Sequence, residues 1–288
     1  MLFRSISKDY AGHTLHEIPP NGQGIAALMA LGLLDQMDLA RFAPDSVESQ
    51  HLQIEAMKLA FADVYRWVAD EEHMTTVRPA HLLDPGYLRE RARLIDPRRA
   101  TDFAHGQPPA GGTIYLTAAD EHGMMVSLIQ SNYMGFGSGI VVPGTGVSLQ
   151  NRGHCFTVDE SHPNVVGGGK RPFHTIIPGF LMKQGQPAMS FGVMGGNMQP
   201  QGHVQTLVRM LTYRQQPQAA CDAPRWKVDR GLVIDCEPTM HPALVQGLRD
   251  RGHAVVAAAD SYMDYGSGQF IWRLGTPDDG YAAASDSR

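Results

Sequence analysis

Cysteine is scarce in this chain of 288 residues: Cys155, Cys221 and Cys236 are the only three. Their number is odd and no CxxC pair occurs, which argues against a disulfide framework and a thiolate zinc site and favours a reducing compartment. Charge is also thin, at 18% of residues, and slightly negative in sum at −5. No global basic field exists to hold nucleic acid phosphates. Long apolar runs are missing too. The longest, residues 25–34, covers ten positions and includes a glycine, whereas a membrane helix needs about 20. The opening MLFRSISKDYAGH has no apolar stretch of signal-peptide length. A hydrophobic content of 43% is ample for a core and excludes a disordered chain. The 31 glycines and 19 prolines suit a loop-rich enzyme better than a helical bundle.

The first third reads as mostly helical. GQGIAALMALGLLDQMD is apolar nearly all round and predicts a buried helix. The segment SVESQHLQIEAMKLAFADVYRWVADEE has helical spacing, with Ser46 or Ser49 as cap. Asp84-Pro85-Gly86 breaks the pattern, and YLRERARLID follows as a short helix whose arginines form a solvated face. HGQPPAGG, residues 105–112, reads as a linker. Strand signals dominate after it. TIYLTAAD and MMVSLIQSNY flank a glycine-containing turn and predict a hairpin. GSGIVVPGTGVSLQN predicts two short strands, and FHTIIPGFLMKQGQPAMSFGV a second hairpin turning at residues 183–186. Helix, strand, helix and strand complete the chain. The pattern is a layered α+β arrangement.

Few motifs carry chemistry by themselves. His51 and Glu55 lie one helical turn apart, a spacing that suits a metal, but no second histidine completes HExxH, and a buried polar or surface role fits better. VVGGGKRP fails the phosphate-loop pattern, because residue 164 is Asn and Arg171 follows Lys170; it reads as a glycine hinge. No G-x-S-x-G elbow occurs. His154 and Cys155 are adjacent, and neighbours on a strand face opposite ways, so a Cys–His dyad is geometrically poor. Thr113 follows Gly111-Gly112 where the linker meets the first strand; read alone, a threonine there is a strand former.

Longer motifs change that reading. PPNGQG (19–24), HLQIEAMKLAFADVYRWVAD (51–70), GGTIYLTAADEHGMMVSLIQSNYMGFGSGIVVPGTGVSLQNRG (111–153), GGGKRPFHTIIPGF (167–180), SFGVMGGNMQPQGH (190–203) and DAPRW (222–226) occur in that order. Together they resemble the γ-glutamyltransferase family, in particular its bacterial γ-glutamyltransferase-like branch. The resemblance implies an N-terminal-nucleophile hydrolase with an αββα sandwich, of which this chain is a partial one lacking the N-terminal half of the large subunit. It implies a division into the end of the large subunit (1–112) and the small, catalytic subunit (113–288). Self-cleavage between Gly112 and Thr113 would make Thr113 the nucleophile and leave the two subunits as a heterodimer. Ser131 matches the second hydroxyl residue of the site, and Gly195 and Gly196 match the oxyanion-hole glycines. No metal and no organic cofactor is implied. The partners are a small-molecule amide and water or an amine acceptor, with neither nucleic acid nor membrane.

Three departures bear on substrate. Cys155 stands where the transpeptidases carry the carboxylate that holds the glutamyl α-amino group. Arg152 replaces a nearby glutamine, and His174 and Thr175 replace paired serines. A thiol is a poor partner for an ammonium, and an arginine attracts a carboxylate. Three functions follow as expectations: a γ-glutamyltransferase-like acyl transfer, an acylase for another carboxylate-bearing amide of glutaryl type, or an unprocessed fragment that serves as a binding or assembly half.

Overall fold

The computed structural model describes residues 5–103, 112–257 and 264–288. Residues 104–111, with most of the expected linker and Gly111, lie outside the described residues. The elements in chain order are β1 (Ile6–Tyr10), β2 (His13–Glu17), α1 (Gly24–Leu34), α2 (Val47–Trp67), α3 (Pro79–Leu82), α4 (Pro85–Ala92), β3 (Gly112–Ala119), β4 (Met125–Tyr133), β5 (Gly179–Lys183), β6 (Gln186–Val193), α5 (Met198–Leu207), α6 (Pro217–Asp222), β7 (Trp226–Arg230), β8 (Val233–Cys236), α7 (Pro242–Asp250), β9 (Ala254–Ala257), β10 (Gly268–Arg273) and β11 (Tyr281–Ser285). This is the expected α+β architecture.

A six-stranded antiparallel sheet in the order β1-β2-β5-β6-β10-β11 forms the centre. Strands from before and after residue 112 therefore share one sheet. The β3–β4 hairpin lies on one face of it and α1 with α5 lie on the other. β6 shows the reason, because successive side chains on a strand point to opposite faces. Phe191 and Val193 meet His203 and Gly202 of α5, whereas Ser190 and Gly192 meet Thr117 and Tyr115 of β3. A smaller sheet, β7-β8-β9, pairs its first two strands antiparallel and its last two parallel, with α7 between β8 and β9.

α1 is buried along its whole length, as its apolar sequence predicts. α2 starts at the expected cap: Ser46 Oγ accepts the Ser49 N–H at 3.2 Å. α5 seats itself by its glutamines. Gln201 and Gln205 each use both ends of the amide on the backbone of β7, at Val228 and Trp226, and so satisfy the open edge of that strand.

Several expectations need correction. The first third opens with the β1–β2 hairpin, whose polar residues hide its strand character from a pattern search. Asp84-Pro85 begins α4 rather than breaking a helix: Asp84 Oδ1 accepts the Tyr87 N–H at 2.9 Å and Pro85 needs no partner at the first position. Arg91 leaves the expected solvated face to grip Asp63, with Nη2–Oδ1 at 2.7 Å. The segment GSGIVVPGTGVSLQN contributes a single bridge, Val141 to Ser148, because its glycines take turn conformations. VDRGLVIDCE is two strands turning at Gly231, not one. Residues 152–155 form a 3₁₀ turn rather than a strand.

Candidate functional site

Thr113 is the second residue of β3 and half-buried. The β3–β4 register runs from Gly112 opposite Tyr133 to Ile114 opposite Gln130. Two residues of β4, Ser131 and Asn132, therefore oppose the single Thr113, a bulge that re-aims local side chains. Ser131 thus sits across from Thr113, and its Oγ accepts the Tyr133 N–H at 2.9 Å.

Gly195 and Gly196 form the turn between β6 and α5. Their φ angles of +113° and +59° are ones that side chains disfavour. Among the described residues, neither backbone N–H donates a hydrogen bond. The turn is held through its carbonyls: Met198 N bonds Gly195 O at 2.9 Å, and Gln23 Nε2 bonds Gly196 O at 2.8 Å. Gln199, in the first turn of α5, brings its Nε2 to 3.5 Å from Thr113 Oγ. The hydroxyl and the glycine turn thereby converge at the start of α5.

The second cluster lies around Arg152, which is buried at the start of the 3₁₀ turn. Its Nη1 donates to Thr175 Oγ at 3.0 Å and its guanidinium stands 5.2 Å from the centre of the Tyr133 ring. Its Nη2 is buried without a hydrogen-bond partner, and no carboxylate of the described residues lies within ion-pair distance. His174 Nδ1 is likewise buried and unpartnered. Burial, with Arg152 adding its charge, lowers the His174 pKa to about 4, so the ring is neutral at pH 7. Burial also raises the Cys155 thiol, which adjoins Tyr133. His154, by contrast, is exposed.

Gln23 joins the two clusters. It is fully buried, and its Nε2 donates both to Gly196 O and, at 2.6 Å, to Thr175 O. The loop bearing His174 and Thr175 is pinned further by His174 N on Asn21 O at 3.0 Å and by Arg171 on Asp70 at 2.5 Å. Lys170 turns back onto the carbonyls of Pro163 and Val165, which is the behaviour of a loop brace. Gln23, Tyr133 and Gln199 were missed as site residues in the sequence. All three lie inside the long motifs, but an amide or phenol there carries no chemical signature of its own.

His51 and Glu55 are joined by His253, and their donor atoms lie within 4.8 Å of one another. The carboxylate is already engaged: Lys58 holds Oε1 at 2.6 Å and the Thr101 N–H holds Oε2 at 3.0 Å. The cluster is a buried polar joint, one of the two roles that the sequence leaves to His51 and Glu55.

The chain belongs to the γ-glutamyltranspeptidase family, whose model matches residues 2–288. It is 34% identical over 273 residues to a protein of Bacillus subtilis named glutathione hydrolase-like YwrD proenzyme, covering 88% of this chain and 49% of that protein. It is 35% identical over 252 residues to the oxamate amidohydrolase proenzyme of Klebsiella pneumoniae, covering 86% and 47%. Its fold superposes with a TM-score of 0.91 on a cephalosporin acylase from Bacillus halodurans, at 46% identity over 99% of this chain and 51% of that one. The architecture is that of N-terminal-nucleophile hydrolases, within a family of hydrolases and acylases. The chain spans about half the length of these relatives.

Proposed function

We propose that the protein is an autoprocessing N-terminal-threonine amide hydrolase, and that its acyl donor carries a carboxylate rather than the α-ammonium of a glutamyl group. The observation that carries this reading is Arg152, a buried guanidinium with one unpartnered nitrogen and no carboxylate of the described residues beside it. A buried cation without a counter-ion is costly, and an incoming carboxylate relieves that cost. The Cys155 thiol, pushed up by burial, offers no anion for an ammonium. Neutral His174 and the Thr175 hydroxyl stand beside the guanidinium and bring no negative charge that would oppose an anion. Oxamate, after which one relative is named, is itself an amide with a carboxylate and no α-amino group.

In this reading cleavage of the Gly112–Thr113 bond frees the Thr113 α-amine. An α-amine has a pKa of about 7.7–8.0 and can act as a base near neutral pH. It takes the proton of Oγ as Oγ bonds the substrate carbonyl carbon. The Gly195 and Gly196 N–H groups receive the oxyanion, at about 3–4 kcal/mol per donor in comparable sites. The C–N bond breaks, the amine leaves with the proton, and water or an amine accepts the acyl group from the Thr113 ester. Residues 1–112 and 113–288 would remain associated as two subunits.

The test compares a glutaryl anilide with the matching γ-glutamyl anilide. The glutaryl compound should be the better substrate. Arg152→Gln should lower its kcat/KM roughly tenfold to hundredfold, the weight of one charge-assisted hydrogen bond. Cys155→Asp should shift preference toward the glutamyl compound. Thr113→Ala should abolish both turnover and the 113–288 fragment in a mass spectrum. Efficient γ-glutamyl turnover that Cys155→Asp leaves unchanged rejects the specificity, and cleavage in Thr113→Ala rejects the mechanism.

A second reading, an unprocessed half that assembles with another polypeptide, draws support from the exposed aliphatic face of the nucleophile hairpin at Ile114, Leu116, Val126 and Leu128.

A further inference from the structure

Gln199 is fully buried three residues beyond Gly196. Its carbonyl Oε1 accepts the Ile177 N–H at 3.0 Å. A backbone N–H can only donate, so this bond decides which end of the amide faces which neighbour. The NH₂ end is thereby turned to Thr113, where Nε2 stands 3.5 Å from Oγ. Pro200 and the Met198 N–H bond to Gly195 O fix the backbone around it.

We propose that Gln199 is a positioning residue for the Thr113 nucleophile: its amide N–H donates to Oγ and fixes the rotamer from which that oxygen attacks. The inference rests on Thr113 as nucleophile. A hydroxyl has one proton to give and two lone pairs to receive. An amide NH₂ cannot accept, so it occupies one lone pair and leaves the hydroxyl proton for the base. The separation is at the long end of a hydrogen bond, and such contacts tighten when the reacting group engages. The Gln199 backbone N–H also bonds Gly196 O at 3.2 Å, which ties α5 to the glycine turn. One residue therefore couples the place of the nucleophile to the place of the oxyanion donors.

Two near-isosteric variants test this. Gln199→Met removes the donor. Gln199→Glu keeps an acceptor for Ile177 and loses the donor while ionised, but regains one when protonated. Gln199→Met should lower kcat, and the rate of fragment formation, roughly tenfold to hundredfold with KM within about threefold, as expected for a displaced reacting atom. Gln199→Glu should recover activity relative to the unmodified protein as pH falls, a signature that a merely structural role does not produce. Crystal structures should show Thr113 in one rotamer in the unmodified protein and in a rotated or split one in Gln199→Met. An unchanged rotamer, or a Gln199→Glu pH profile that parallels the unmodified protein's, overturns the inference. Thr113→Ala separates the two questions: if that variant still turns over, the nucleophile reading fails, while the rotamer comparison continues to judge Gln199.

Discussion

His51 and His253 meet in the core with Nδ1 and Nε2 2.8 Å apart. His51 Nε2 faces the Asp96 carbonyl at 2.9 Å and must donate to it, so its Nδ1 accepts and His253 Nε2 donates. That pattern requires His51 to be neutral, and a neutral His253 satisfies it. Burial lowers both pKa values, that of His253 to about 3, with the charges of Lys58 and Arg251 acting in the same direction. Glu55 offers little relief, because its Oε1 is 4.0 Å from His253 and is held by Lys58. The unfolded chain titrates these rings near 6.5. Between about 3 and 6.5 it therefore binds more protons than the folded protein. Stability is fully present above pH 6.5 and drains away as pH falls toward 3. The Tm should decline across that range, and His253→Gln should flatten the decline; an equal slope in the variant rejects this account. His51 and Glu55 lie before the proposed cleavage point at residue 112 and His253 after it, so on that proposal the joint fastens the two subunits together.

At the scale of elements, the place of the proposed nucleophile depends on how the β3–β4 hairpin seats on the central sheet. A Cβ at Gly192 would lie 2.5 Å from the Tyr115 ring. Tyr115 is buried two residues from Thr113, and its hydroxyl bonds Ser127 Oγ at 2.7 Å, which in turn donates to Gly179 O at 2.9 Å. The ring is rigid and braced, so it cannot yield cheaply. Gly192→Ala should cost about 1–3 kcal/mol by overpacking, a Tm drop of several degrees. It should also slow formation of the 113–288 fragment by lifting β3. Gly168→Ala, where a Cβ meets nothing within 4 Å, is the control. Equal melting of the two variants would show that Tyr115 does not seat the hairpin.

For the whole molecule, the outer face of that hairpin matters most. Tyr115 and Thr117 face the sheet, so the alternate residues point away. Ile114, Leu116, Val126 and Leu128 are 66%, 46%, 41% and 45% exposed. A contiguous aliphatic face of this kind drives association. The chain produced alone should self-associate in light scattering. The double change Leu116→Lys with Leu128→Glu should suppress it, since these positions face each other and an ion pair suits a cross-strand pair. A scattering profile unchanged by that pair would locate the contact elsewhere.

What the sequence determined by itself was local or carried by long motifs. All-round apolarity announced the buried α1, Ser46 announced the start of α2, and alternating β-formers announced both later hairpins. Ordered motifs announced the family, and the resemblance singled out Thr113, Ser131 and the glycine pair as the proposed site. What only the tertiary structure decided was which side chains meet across the chain. Gln23 reaches Gly196 and Thr175 across more than 150 residues, and Gln199 reaches Thr113. The absence of a carboxylate beside Arg152 among the described residues is likewise a fact of packing. The polar β1–β2 hairpin was hidden for the same reason: its strands are made by pairing β2 with β5, far along the chain, and not by a pattern of their own. Periodicity reports only which face of an element is buried; the partner on that face is chosen by the folded chain as a whole.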